Sequence, residues 1–255
     1  MANQVITSTI PVAPAGAITR SGAVVDAFMQ SSTLPLTKYG LPFQIDASDT
    51  ITGLVDTDRA ADTYGFIVRP FPQVPGASSN EAILTATPPV YPAVVNGLRS
   101  GYCAVSVQYG TAAKGGKVYV RLAATSSTRY QGGIEAGAVA AVTNPTIVGT
   151  GTGTIACTVA DATVIVPGTY VITLLSTSQT AACSVIDPNG NRLKDAVVGT
   201  EYTAAGLTFT ITAAGTMTAG DKFSPVVSLT TEAIPGAFFT GAKDANNIAE
   251  IAYNI

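Results

Sequence analysis

The sequence predicts an all-β protein, and three observations predict it. Only 11% of the 255 residues are charged while 47% are apolar, so long helices would lack the polar face they need. Twenty-five Gly and 15 Pro are spread along the chain beside 35 Thr, a composition that breaks helices and favours strands. Several windows also alternate apolar and polar residues with a period of two, the repeat of a strand with two unlike faces.

The elements follow in order. Up to about Gln30 the text is irregular, with Pro11 and Pro14 interrupting it. Val24, Val25, Phe28 and Met29 fit one face of a single helical turn, or an apolar patch docked under a polar loop. Cys103, Val105, Val107 and Tyr109 alternate with Tyr102, Ala104, Ser106 and Gln108. Gly110 to Gly116 supplies a turn and Lys117–Leu122 alternates again, which predicts a hairpin. At the far end Ala249, Ile251, Tyr253 and Ile255 form one apolar row, predicting a closing strand held inside a sheet.

Residues 142–233 differ in texture. They open on Gly149-Thr-Gly-Thr-Gly-Thr, which reads as a flexible junction. Tyr170, Ile172 and Leu174 alternate with Val171, Thr173 and Leu175, and Leu207, Phe209 and Ile211 alternate with Thr208, Thr210 and Thr212. With a strong turn at Asp187-Pro-Asn-Gly-Asn191, this spacing predicts a small Ig-like β-sandwich. The expectation is therefore a jelly-roll-like or barrel-like host domain, residues 1–141 plus 234–255, interrupted by an inserted sandwich at 142–233.

Composition narrows function before any motif does. There is no histidine, which removes the commonest general base and metal ligand. Thirteen basic residues against 16 acidic, with no basic cluster, argue against nucleic acid. The long uncharged stretches are full of Thr, Gly, Pro and Asn and do not read as membrane helices, and no export signal is visible. Cys103, Cys157 and Cys183 read as small buried hydrophobes within strands, and an odd count suits a reducing compartment better than secretion.

The motifs are weak as chemistry. The Gly149 run has no following helix and no adjacent Lys-Ser/Thr, so it is not a phosphate loop. Asp187-Pro-Asn-Gly-Asn191 lacks the acidic ligands of a calcium loop and reads as a turn. The carboxylate pairs Asp46/Asp49 and Asp56/Asp58 read as solvated loop charges. No catalytic, metal or cofactor residues are assigned, and the expectation is a protein that is not an enzyme.

Six phrases in order carry more information. They are Tyr39-Gly-Leu-Pro-Phe, Gly65-Phe-Ile-Val-Arg-Pro-Phe71, Gly101-Tyr-Cys-Ala-Val-Ser-Val107, Lys114-Gly-Gly-Lys-Val-Tyr-Val-Arg121, Gln131-Gly-Gly-Ile-Glu-Ala136 and the run from Phe238 to Ile255. Together they resemble the structural cement (capsid decoration) proteins of tailed bacteriophages, with a Thr-rich β-domain inserted before the last strand. The resemblance implies a virion protein on the exterior of the head, assembled in the bacterial host cytoplasm, whose partners are the phage major capsid protein and itself. A homodimer is expected, with a trimer as the alternative. It further implies an exposed Gly65–Phe71 stretch facing the capsid, with Tyr39, Phe66, Arg69 and Phe71 as interface candidates. The rival expectation is a tail, baseplate or fibre component, or an adhesin reading a host-surface glycan through the insert.

Overall fold

In the computed structural model, residues 13–70, 87–126 and 128–255 are described. Among them the elements are strands, apart from one 3-10 turn at Ala60–Asp62. No helix among these residues is long and apolar enough to cross a membrane. The chain divides into two units, Met1–Gly137 with Thr231–Ile255 and Ala138–Thr230. The boundaries expected at 142 and 233 thus fall at 138 and 230, because residues 231–233 belong to a host strand and 140–142 to an insert strand.

The host unit begins with β1 (Val24–Gln30), β2 (Pro42–Ile45), β3 (Thr50–Gly53), β4 (Gly65–Val68), β5 (Val94–Gly110), β6 (Lys117–Arg121) and β7 (Ile134–Ala136). The insert supplies β8 (Ala140–Val142), β9 (Thr154–Val159), β10 (Gly168–Thr169), β11 (Val171–Leu174), β12 (Ala182–Ile186) and β13 (Ala196–Val197). It continues with β14 (Tyr202–Ala204), β15 (Leu207–Thr212), β16 (Lys222–Phe223) and β17 (Val226–Leu229). The host unit resumes with β18 (Thr231–Phe239) and β19 (Ile248–Tyr253).

Host pairing runs β1-β3-β2-β4-β5-β19-β18-β6-β7, with further pairs β1–β5 and β5–β7. Those two extra pairs close two five-stranded circuits, and both share the 17-residue β5. This is the barrel-like alternative, doubled. Closure removes sheet edges that would otherwise offer unpaired backbone groups. At the crossover the β1–β5 register shifts between Val24 and Val25, and Gly101 adopts φ +130°. A Cβ there would lie 3.0 Å from the Ala23 backbone, so glycine suits both the conformation and the close approach. Ahead of this bend β5 lends Val95 to a small core with Phe43, Ile51 and Ile67. Leu98 and, beyond the bend, Cys103, Val105 and Val107 enter the larger core with Phe66, Ile134, Phe239 and Ile251.

Three local expectations change. Val24–Gln30 is neither helical turn nor loop: it is a strand, antiparallel to β5 and parallel to β3. Partners distant in sequence supply what so short a window cannot show. The predicted hairpin is split, because β19 and β18 separate β5 from β6 on one side and β7 on the other. The last strand lies between β5 and β18 with Ile248, Ala249, Ile251, Ala252 and Tyr253 all buried. Both of its faces are therefore covered, while Ile255 lies beyond it at 62% exposed.

The insert packs one core between layers. One layer is β14-β15-β9, and the others are β10-β17-β8 and β13-β12-β11-β16. The last two run into each other: the Tyr170 amide donates to the Pro225 carbonyl at 3.0 Å between the pairs β10–β17 and β11–β16. Pro225 has no amide to return that bond, which interrupts the ladder there. Alternation is as expected, with Ile155, Cys157, Ile172, Leu174, Leu207, Phe209 and Ile211 buried.

Candidate functional site

The four interface candidates part company. Phe66 sits in β4, whose four residues are all buried, and it is 0% exposed. Its ring meets Tyr253 edge-on at 5.1 Å, and the Tyr253 hydroxyl donates to the Thr63 carbonyl at 2.9 Å. The expectation of an exposed Gly65–Phe71 stretch is therefore corrected over 65–69: β4 lies between β2 and β5, so Phe66 is a core residue. Phe71 lies outside the described residues.

Tyr39 and Arg69 are brought together. The Arg69 guanidinium lies 4.8 Å from the centre of the Tyr39 ring, and its Nε donates to the Ala15 carbonyl at 2.8 Å. Its own amide donates to the Gly16 carbonyl at 2.8 Å. Arg69 is only 7% exposed, and burial pulls the guanidinium below its usual range, with Tyr39 opposing. Burial pushes the Tyr39 phenol up, and the Arg69 charge opposes that shift.

Both side chains line a cleft of about 570 Å³ within the host unit. A second pair lines it: the Lys38 Nζ lies 3.8 Å from the centre of the Tyr130 ring. Ser106 and Ile248, register partners on β5 and β19, contribute to the wall, as do Thr37, Thr87 and Asn246. The Tyr130 phenol is raised by burial, against a hydrogen bond with Ser106. Among the described residues the lining thus offers two cations, each on an aromatic face, with hydroxyl and amide groups and no carboxylate.

A part-buried network holds the Tyr130 backbone. Its amide donates to Gln108 Oε1 at 2.9 Å, and Gln108 Nε2 donates to the Tyr130 carbonyl at 3.0 Å and to Glu135 at 3.1 Å. Arg129 Nε donates to the fully buried Glu135 at 2.9 Å. This explains the phrase Gln131-Gly-Gly-Ile-Glu: a Cβ at Gly133 would fall 2.4 Å from the Gln108 side chain. Sequence reasoning missed Lys38 and Tyr130. The usable signal was two adjacent cation–tyrosine pairs, Lys38-Tyr39 and Arg129-Tyr130.

The other motifs resolve into internal chemistry. The Gly149 run is not a loose junction. Thr150 and Gly151 amides donate to the Asp221 carboxylate at 3.1 and 2.8 Å, and Asp221 is buried. It is an anion nest filled by the protein's own side chain. Asp187 accepts from the Asn191 side chain at 3.0 Å and from the Asn191 and Asn189 amides at 2.8 and 3.0 Å, bonds that hold it below the usual carboxylate range. Asp46 caps its own turn through Thr50 and Ser48, and Asp58 accepts from Val55 and Gln44. The three cysteines are free and buried. Burial raises all three thiols, Cys157 and Cys183 to about 11.

No protein-family model matches this chain, and no curated protein matches it. Among solved structures, Xanthomonas campestris FlgL matches with 19% identity and a TM-score of 0.25, over 44% of this chain and 31% of FlgL. So distant a likeness leaves the cleft and the closed circuits as the starting point for function.

Proposed function

We propose that this chain is a virion structural protein that decorates the outer surface of a phage head and cements neighbouring major capsid subunits. The observation that carries the reading is where the six phrases fall. All of them lie in the host unit, on β2, β4, β5, β6, β7, β18 and β19 and the loops joining them. That unit is the one closed into two circuits, a rigid scaffold that needs no catalytic group to act. Its action is mass action: a ligand that binds only the assembled lattice stabilises that lattice. With Phe66 in the core, lattice contacts pass to groups around the Tyr39–Arg69 cleft and the host loops. Homodimers are expected, with trimers as the alternative, on the head exterior after assembly in the host cytoplasm.

The glycan-adhesin reading through the insert loses its chemistry. Sugar faces stack on exposed aromatics, and the insert's Tyr170, Tyr202, Phe209 and Phe223 are all buried. Cryo-EM of the virion carrying this chain tests the proposal. Density on the head exterior, bridging capsid subunits, is the expected result; a tail or baseplate position overturns it.

A further inference from the structure

Among the described residues, the two cations of the cleft meet no carboxylate. Arg20, Arg59, Arg99, Arg129 and Arg192 each form an ion pair. Among the described residues the lysines, Arg69 and the equally buried Arg121 do not; of these, Lys38 and Arg69 line the cleft, and Arg69 is over nine-tenths buried. Arg69 is buried against a carbonyl and a tyrosine ring with no counter-charge among the described residues, a costly state that an anion from outside would relieve. Each cation rests on a tyrosine face, which favours its position and lowers the ordering cost of binding. Because Nε of Arg69 is committed to the Ala15 carbonyl, the guanidinium plane is set and its two terminal amino groups form the fork that matches a carboxylate.

The remaining lining narrows the ligand. Thr37, Thr87 and Asn246 place hydroxyl and amide groups around the same space, and Ile248 adds an apolar face. A volume of about 570 Å³ falls in the small-molecule range of roughly 300–1,000 Å³ and exceeds what a bare ion fills. We propose that the cleft is a binding site for a hydroxylated carboxylate of the sugar-acid class, its carboxylate held between Arg69 and Lys38 and its hydroxyls by the Thr and Asn side chains. The ligand is either a free sugar acid or the acidic unit of a saccharide chain. The decoration reading uses the surroundings of the same cleft, but sugar-acid binding is measured without a capsid, so the two claims can fail separately.

The test titrates the full-length protein with sodium glucuronate, with glucose as the uncharged counterpart, and with a hyaluronan tetrasaccharide, all at constant ionic strength. Amide chemical shifts in the NMR spectrum are the readout. Saturable shifts at Lys38, Tyr39 and Asn246 with glucuronate, and none with glucose, support the site. Lys38→Gln, an exposed position, should weaken glucuronate at least threefold, and Arg69→Gln at least tenfold. Circular dichroism checks that Arg69→Gln folds; if it does not, Lys38→Gln decides alone. Tetrasaccharide affinity more than tenfold above that of glucuronate assigns the ligand to a chain, and comparable affinity assigns it to the free acid. Absence of saturable shifts, equal response to glucose, or undiminished binding by Lys38→Gln overturns the proposal.

Discussion

The host unit and the insert are both all-β, yet they reach stability by different routes. The insert keeps its partners close: β11–β12 and β14–β15 pair strands adjacent in sequence, the longer pairings β9–β15 and β8–β17 stay within Ala138–Thr230, and one core serves its layers. The host unit adds partners from both ends of the chain to neighbour pairs such as β2–β3 and β6–β7. Its central strand β5 pairs with residues 24–29 and 66–68 on its first half and 248–253 on its second. Local alternation marks the insert's strands, while it leaves host strands such as β1 and β4 unmarked. Closing a circuit needs partners from both ends of the chain, and each partner strand is short.

The sharpest way to break this comparison is to remove Ile248–Ile255. The host unit should lose its fold while the insert, carried on the same chain, keeps a cooperative transition. Burial of Ile248, Ile251 and Tyr253 contributes roughly 1.5–3 kcal/mol each, a large share of a typical margin of about 5–15 kcal/mol. β5 would also lose a neighbour. Two thermal transitions in the parent and one in the truncation, followed by calorimetry, check it. A truncated chain with both transitions intact would show that β19 is an accessory strand.

Next in size is Phe66→Ala. A lattice-contact residue would tolerate it, whereas a fully buried one should lose about 3–5 kcal/mol. Denaturant unfolding should report that loss in the host transition and leave the insert's midpoint unmoved. Asp221→Ala is the matching test on the other unit. It strips the acceptor from the Thr150 and Gly151 amides, and hydrogen bonds to a charged group contribute about 1.5–3 kcal/mol each. Only the insert's midpoint should fall.

Acid is the gentlest probe. Asp187 and Asp161 in the insert and Asp46 in the host are held below the ordinary Asp range by hydrogen bonds from their own turns. A carboxylate with a depressed folded pKa adds stability above its unfolded value, about 3.9, and loses it as pH falls through the folded value. Both transitions should hold steady from pH 8 to about 5 and begin to drop below about 4. The absence of histidine leaves no side chain with an ordinary pKa near 6 to intervene. A loss centred near pH 6 would contradict this account.

Much of this architecture was readable beforehand, and the failures are instructive. Leu207–Thr212 announced itself because Leu207, Phe209 and Ile211 are core and the Thr residues between them are not, whereas Cys103–Val107 alternates in sequence although Ala104 is buried as well. β4 misled because all four of its residues are buried, so its sequence carries no alternation and Phe66 looked free to contact a lattice. Tyr39 and Arg69 were picked out by their phrases, but Lys38 and Tyr130 came into view only once β5 and the 129–133 loop were placed. Glu135 shows the limit most clearly. A fully buried carboxylate is legible only together with its Arg129 partner.

The doubly shared β5 also sets an order of events in time. Residue 103 pairs with residue 251, whereas the insert closes within 138–230. On a ribosome the insert can complete its core while β18 and β19 are still unmade, and domains generally fold as units in order of emergence. The host unit must wait with β5 half-paired, and pairings so distant in sequence fold slowly. The newborn chain thus has a finished centre and unfinished flanks, and its second circuit can close only once β19 is synthesised.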